Sequence, residues 1–348
     1  MKTTRPVTKL FLAALLALVA CGGCGIFRGA INDSPSIRWF LFSTFGAGRV
    51  CPEMLKRGAP LQLVPGGETL GRFFPSGCRV DTNGDTQTIT LHFTGTGYAW
   101  TPIAGRMGFS VEAAIEYRPD FRLESDAMYV WARYNRVTYG PIFSIGYIEN
   151  KLADWAARTP AGYLATTFGS QIVQSQLASG FTVVRTDQGD DFSLGILNPP
   201  QRPIHPIAIA DSDHVLLDSE TTDVRPNQVD FLGPYEVASG GQALFLHFKL
   251  TGPAVDVLVL SRNQGDPWRE SMQQGNPLTP PASPPLQAFV VQPNQDQTER
   301  VLVPAGQYYL VVDNSNIVGS VAPPWSPMNV LGGGAAVLSY SVELGDAD

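Results

Sequence analysis

The sequence predicts a mainly β protein: an α+β N-terminal domain of curved antiparallel strands packed on one or two helices, followed by an all-β sandwich domain. Three observations predict it. Apolar and polar residues alternate over long stretches between about 88 and 137, the signature of half-buried strands. A short region from 148 to 177 changes to helical spacing. From about 213 onward, short apolar runs are broken repeatedly by Pro and Gly, with no helical period. The 348 residues are enough for two domains, and 44% apolar residues allow each a core of its own.

Residues 1–20 read as a signal peptide, 21–44 as a tether and lead-in, 45–197 as the α+β domain, 198–212 as a Pro-rich linker and 213–348 as the sandwich. Ile37–Phe42 is apolar enough to be a first strand or a surface-seeking stretch. In the first domain, Asn83-Gly84 marks a hairpin turn. After it, Ile89, Leu91 and Phe93 alternate with Thr88, Thr90 and His92. Met107, Phe109, Val111, Ala113, Ile115 and Tyr117 then form one strand face, opposite Ser110, Glu112, Glu116 and Arg118. Met128–Val137 is the next strand. Ile148, Leu152 and Trp155, then Leu164, Phe168 and Ile172, suggest two helices, with Gly180 as the stop. Strands resume at Phe181–Arg185 and Phe192–Ile196. Pro199, Pro200, Pro203 and Pro206 then interrupt all patterning. Beyond them, Leu244–Leu250, Val255–Leu260, Ala288–Val291, Arg300–Val303, Tyr308–Asp313 and Ala335–Leu344 read as short strands, giving a sandwich of about seven.

The N-terminus carries the clearest functional signal. Lys2, Arg5 and Lys9 precede the apolar run Leu10–Leu18, which is shorter than the roughly 20 residues a bilayer-spanning helix needs. Leu18-Val19-Ala20-Cys21 resembles the lipobox of bacterial lipoproteins. The resemblance implies cleavage before Cys21 and diacylation of its thiol. It also implies outer-membrane delivery in a Gram-negative envelope, because Gly22 and not Asp follows the lipidated Cys. Cys24 lacks the preceding Leu and is the weaker candidate. Cleavage removes three bases and no acid, moving the net charge from −7 to about −10. Such a chain offers no electrostatic footprint for nucleic acid and no polybasic run, so the membrane is expected to be held through the acyl chains. In an oxidising compartment, Cys51 and Cys78 are expected to form a disulfide.

Two further resemblances concern the domains. Val303-Pro304-Ala305-Gly306-Gln307-Tyr308 and the strand to Asp313 resemble the penultimate-strand motif of bacterial pre-peptidase-type C-terminal β-sandwich domains. That implies an accessory or binding module without catalytic residues. The order of elements from Ile89 to Ile196 is similar to tubular (TULIP-like) lipid-binding lipoproteins, which implies an interior that holds acyl chains. The alternative is that helices plug the open face of a curved sheet.

The residues for chemistry are sparse. The histidines His92, His205, His214 and His247 lie apart, with no pair at metal-ligand spacing. Gly108-Phe109-Ser110-Val111-Glu112 fails as a nucleophile elbow, because no Gly closes it and it lies within a strand. Asp81-x-Asn83-x-Asp85 lacks the Gly and the closing Glu of a calcium loop. Glu112 and Glu116 share a strand face, but about 13–14 Å apart along the backbone, wide for a glycosidase pair. Asp187, Asp190 and Asp191 read as a solvated acidic turn. Tyr98, Trp100, Phe109 and Trp131, with Tyr129 and Tyr134 nearby, are candidates to line an apolar or sugar-binding cavity, or to be plain sheet core. No catalytic set, metal site or cofactor is expected. The sequence therefore points to a non-catalytic, lipid-anchored envelope protein with a structural or partner-binding role. The alternative is a binder of an apolar ligand in the N-terminal domain. The discriminating observation is whether that domain's interior is open or packed.

Overall fold

The alternating segments pair in sequence order into one curled antiparallel meander: β1 (Ala59–Gln62), β2 (Thr69–Asn83), β3 (Thr88–Thr101), β4 (Gly105–Leu123), β5 (Met128–Ile148), β6 (Phe181–Thr186) and β7 (Gly189–Leu194). The computed structural model describes residues 25–64, 66–101, 104–150, 176–186, 189–208, 213–323 and 334–347. The helices read at 148–177 fall almost wholly outside these, and Ile148 itself ends β5. The β2–β3 turn forms as expected: Asn83 Oδ1 accepts from the amides of Asp85 and Thr86 at 3.0 and 3.2 Å, which accounts for the calcium-loop look-alike. Met107, Phe109, Val111, Ala113, Ile115 and Tyr117 all turn into one core.

That core is closed by helices that the sequence reading placed elsewhere. The stretch taken for a tether is helical from Gly25, as α1 (Gly25–Asp33), and Ile37–Phe42 forms helix instead of strand. Helix α2 (Pro35–Leu41) runs through a π turn (Phe42–Gly46) into α3 (Ala47–Met54). Its start is set by Ser34, whose Oγ accepts from the Ile37 amide at 3.4 Å, and by Pro35 in the first turn. Trp39, Leu41, Phe42, Ala47, Val50 and Met54 pack against the sheet core. Cys51 on α3 is bridged to Cys78 on β2, with Cα atoms 5.4 Å apart. Closing that 27-residue separation stabilises by about 3–4 kcal/mol in the chain-entropy model.

The second half stacks two four-stranded sheets, ordered β13-β10-β15-β8 and β12-β11-β14-β9. The strands are β8 (Val215–Val224), β9 (Gln228–Val237), β10 (Gln242–Thr251), β11 (Val255–Ser261), β12 (Gln287–Val291), β13 (Asp296–Leu302), β14 (Gly306–Asn314) and β15 (Ala336–Asp346). Their inner faces share one aliphatic core, including Leu244, Leu246, Val257, Val259, Leu310 and Leu338. This half is not free of helix. Helix α4 (Arg262–Gln273) follows β11, opened by a capping box in which the Ser261 amide donates to Gln264 Oε1 at 3.0 Å. Trp268 and Met272 of α4 pack with Phe231, Tyr309, Phe74 and Tyr98, a cluster drawn from both halves. The approach is so close that a Cβ on Gly108 would sit 1.7 Å from the Gln273 carbonyl oxygen. Gly108 thus belongs to this contact.

A largely buried polar network joins the halves. The curled-sheet side supplies Arg57, Arg72 and Tyr98; the sandwich supplies Asp218, Glu220, Thr222, Asp230, Tyr235 and Tyr340. Arg72, 0% exposed, meets Asp230 through Nε at 3.3 Å and Nη2 at 3.1 Å, and Glu220 through Nη1 at 3.3 Å. Tyr98 donates to Asp230 at 2.5 Å and accepts from the Phe231 amide at 2.8 Å. Burial disfavours the Asp230 charge, yet Arg72 and the hydrogen bonds from Tyr98 and Thr222 hold its carboxyl below the usual range. Glu220 is pushed up to about 6, by burial first and then by Asp218.

Asp313 on β14 lies opposite Asp256 on β11 and is fully buried. Burial, with Asp256 adding, pushes its carboxyl up to about 7; the nearby Ser315 offsets this only in part.

Two expectations follow from these buried acids. Arg72→Met strands Asp230 without its cation, so urea unfolding should show a loss of about 3–5 kcal/mol, with Arg72→Met/Asp230→Leu recovering most of it. An unchanged midpoint in the single variant would refute the network's importance. For Asp313, the folded pKa lies above the unfolded one, so its contribution is full below about pH 4 and is lost as pH rises through 7. Asp313→Asn should therefore match the parent at low pH and exceed it by roughly 2–4 kcal/mol at pH 8, read from denaturation midpoints at both pH values.

Candidate functional site

Where the Pro-rich stretch crosses the curled sheet, the chain leaves a groove of about 660 Å³. Its walls come from α1 and α2 (Asn32, Arg38), the β4 end and following turn (Asp120–Asp126), the β5 start (Tyr129, Trp131, Arg133) and Asn198–Arg202. The aromatic residues of β5 serve as pegs for the crossing chain. The Trp131 indole N–H donates to the Leu197 carbonyl at 2.6 Å, and the Tyr129 hydroxyl donates to the Gln201 carbonyl at 2.9 Å. Both rings are buried. Asn32 ties α1 to the rim, giving its amide to the Leu123 carbonyl at 2.8 Å and accepting from the Leu123 amide at 2.9 Å.

Four guanidinium groups line the groove. Three are matched by carboxylates: Arg38 with Asp120 at 2.6 Å, Arg202 with Asp126 at 2.7 Å and Arg122 with Glu124 at 2.7 Å. Arg202 also lies over the Tyr129 ring, 5.4 Å from its centroid. Arg133 differs. It stands exposed over the Trp131 ring at 5.5 Å and, among the described residues, pairs with no carboxylate. A cation held on an aromatic face loses little side-chain freedom on meeting an anion. The arrangement suits recognition of a carboxylate or phosphate at the surface. Beyond the groove, His205 in the same stretch meets Asp191 on β7 at 2.8 Å, and this hydrogen bond raises the imidazole pKa above its ordinary value.

The four cavity candidates do not form one lining; only Tyr98 and Trp100 share a cavity, a small one of about 30 Å³. Tyr98 lies in the network between the halves. Trp100 lies under the Arg225 guanidinium, 3.7 Å from its ring centroid. Phe109 stacks on Phe143 at 4.8 Å within the sheet core. Only Trp131 reaches the groove, where it fastens the linker. Of the carboxylate pair, Glu112 is exposed, whereas Glu116 accepts from Arg136 at 3.1 and 3.3 Å and from Asn135. Those bonds, Arg136 first, hold Glu116 below its ordinary pKa, the wrong direction for a general acid. Asp218 and Asp230 are buried between the halves and already engaged by Arg57, Arg72, Tyr98 and Tyr235, while Glu220 is part-exposed and held by Arg72 and Tyr340. Among the described residues, no cluster of His, Cys, Asp and Glu could hold a metal. Cys21 and Cys24 lie outside the described residues. Sequence reasoning missed Arg133, Arg202 and Arg38, which are spread over more than 160 positions; the adjacent Trp131 was the nearest signal.

No protein-family model matches the chain, and no curated protein matches it. Among solved structures, a glycoside hydrolase family 43 arabinoxylan arabinofuranohydrolase from Bacillus subtilis in complex with cellotetraose aligns at 7% identity over 78% of this chain and 67% of that one, with a TM-score of 0.23. A likeness that slight carries no inference.

The His205–Asp191 contact gives a pH-dependent latch on the linker. Because the folded pKa is raised, the contact is fully present below the unfolded imidazole pKa of about 6.5 and is lost as pH rises through the folded value. Limited proteolysis should therefore cut the 199–206 stretch faster at pH 8.5 than at pH 6, after correction with an unstructured peptide. His205→Gln should be cut at one corrected rate; a difference persisting in that variant would refute the latch.

Proposed function

We propose that this chain is a lipid-anchored, non-catalytic protein of the bacterial envelope, held in the outer membrane by acyl groups on Cys21, and that it binds an envelope partner through the arginine-lined groove. The anchor reading rests on Leu18-Val19-Ala20-Cys21, four residues ahead of the described helix α1 at Gly25. The binding reading rests on one observation, the exposed Arg133 guanidinium set on Trp131 at the mouth of a groove whose other three guanidinium groups are already paired. The partner surface that fits it is acidic.

The alternative, an apolar cargo within the curled sheet, has less support. Helices α2 and α3 put Trp39, Phe42, Ala47 and Val50 into the core that such a cargo would occupy. Packing of this kind is what plugs an open sheet, and it favours the interaction role.

Two experiments test the reading separately. Cells fed labelled palmitate should label the protein, and Cys21→Ser should abolish the label; label retained in that variant would remove the anchor assignment. A photo-crosslinking residue in place of Ser125, exposed in the same groove, should capture a defined adduct in intact cells; Arg133→Ala should lose it, and Asp126→Ala, which frees Arg202 to attract the same acidic surface, should leave or strengthen it. No adduct at 125, or the same adduct from a crosslinker at exposed Thr298 on the sandwich, would overturn the groove as the binding site.

A further inference from the structure

The N-terminal helices bury one side and leave the other bare in a way that the sheet does not use. Trp39, Phe42, Ala47 and Val50 face the core. On the outward side Ile37, Phe40 and Phe45 stand 42%, 59% and 46% exposed, with Leu55 just beyond α3 at 36%. A helix that is apolar on its outer side as well as its inner one has a second surface to cover. Around this row stand bases. Between residues 25 and 56 the chain has Arg28, Arg38, Arg49 and Lys56 against only Asp33 and Glu53, in a protein whose overall charge is −7. Arg38 is spent on Asp120 and Lys56 on Glu53, but Arg28 and Arg49 are exposed and, among the described residues, have no acidic partner. The local surface is thus apolar and basic, while the remainder of the protein is acidic.

The occupant is indicated by position. Helix α1 begins four residues after Cys21 and has nine residues, about 13 Å at the helical rise, so α2 starts within a short reach of the cysteine. We propose that the outward face of α2–α3 lies on the membrane, with Ile37, Phe40 and Phe45 in the headgroup–acyl boundary and Arg28 and Arg49 against anionic lipid phosphates. An aromatic and aliphatic row flanked by bases is the composition of a helix that rests in the interfacial plane. The acyl chains hold the protein to the bilayer, and an apolar row with a basic pair adds a second contact that orients it there. Asn32 and Arg38 join the same helices to the groove, so a membrane-lying α2 fixes which way that groove faces.

The proposal rests on the anchor reading only for the nearness of the bilayer, and its test does without acylation. Residues 1–20 are exchanged for a conventional secretory signal and Cys21→Ser and Cys24→Ser are introduced, giving the full mature chain without acyl groups. Flotation with vesicles of phosphatidylethanolamine and phosphatidylglycerol should show binding that weakens as salt rises. Arg49→Glu should weaken it by about fivefold or more, and Ile37→Ser/Phe40→Ser/Phe45→Ser by about tenfold or more. These side chains point away from the core, and an unchanged circular dichroism melt would show that the variants are folded. Absence of binding at millimolar lipid, or equal binding by the triple variant, would overturn the proposal. So would a dimer in sedimentation that the triple variant abolishes, since the face would then belong to a second copy. Loss of palmitate labelling from the native chain would remove the anchor without touching this result.

Discussion

Arg72 sits where the two halves of the molecule meet, with its guanidinium out of contact with water and both of its acidic partners on the far side. A charge in that position is tolerable only while Asp230 and Glu220 stay within reach. Those two acids in turn need Thr222, Tyr98 and Tyr340 to satisfy their remaining oxygens. The bases lie in the curled sheet and the acids in the sandwich, so neither half can shed its partner without burying or stranding charge. This divides the work of adhesion in two. The apolar cluster around Trp268, Phe231, Tyr309 and Phe74 supplies the contact area. The ionic cluster ties named partners across the seam, Arg72 to Asp230 and Glu220 and Arg57 to Asp218.

The same network explains what the sequence hid. The long strands β3 and β4 were readable because water covers one of their faces and the core the other, so that Phe109, Val111, Ala113 and Ile115 stand out by alternation. Strands β8 and β9 obey the same geometry, but their inward positions include Asp218, Thr222 and Asp230. Buried acids look like loop residues unless the buried arginine opposite them, some 150 positions earlier, is known. Helix α4 was hidden for another reason. Its 12 residues offer only Trp268 and Met272 as apolar contacts, and Pro267 and Gly265 read as breakers. The one usable signal was Ser261-x-x-Gln264, the mark of a capped helix start. Ser34-Pro35 ahead of α2 was a comparable signal.

The aromatic residues illustrate how little composition says about role. Tyr98, Trp100, Phe109 and Trp131 looked like one lining, and each went to a different task because β3, β4 and β5 present them to different neighbours. Trp131 and Tyr129 do meet, at 6.2 Å, but as supports for a crossing chain and for two arginines above them. The groove is thus a product of topology: residues from α1, α2, β4, β5 and the linker converge there, and no local pattern in any of them announces it.

The seat of Gln273 on Gly108 has a meaning for kinship. At this position β4 reads a distance of backbone to backbone, and even the smallest side chain overfills the gap. A distant chain can exchange every apolar residue of the shared core for another and keep the two halves as they stand here. It cannot place alanine at the equivalent of 108 without moving the helix off the strand. A side chain at that position, in any sequence aligned with this one, therefore argues that the halves sit differently from here even where both folds are kept.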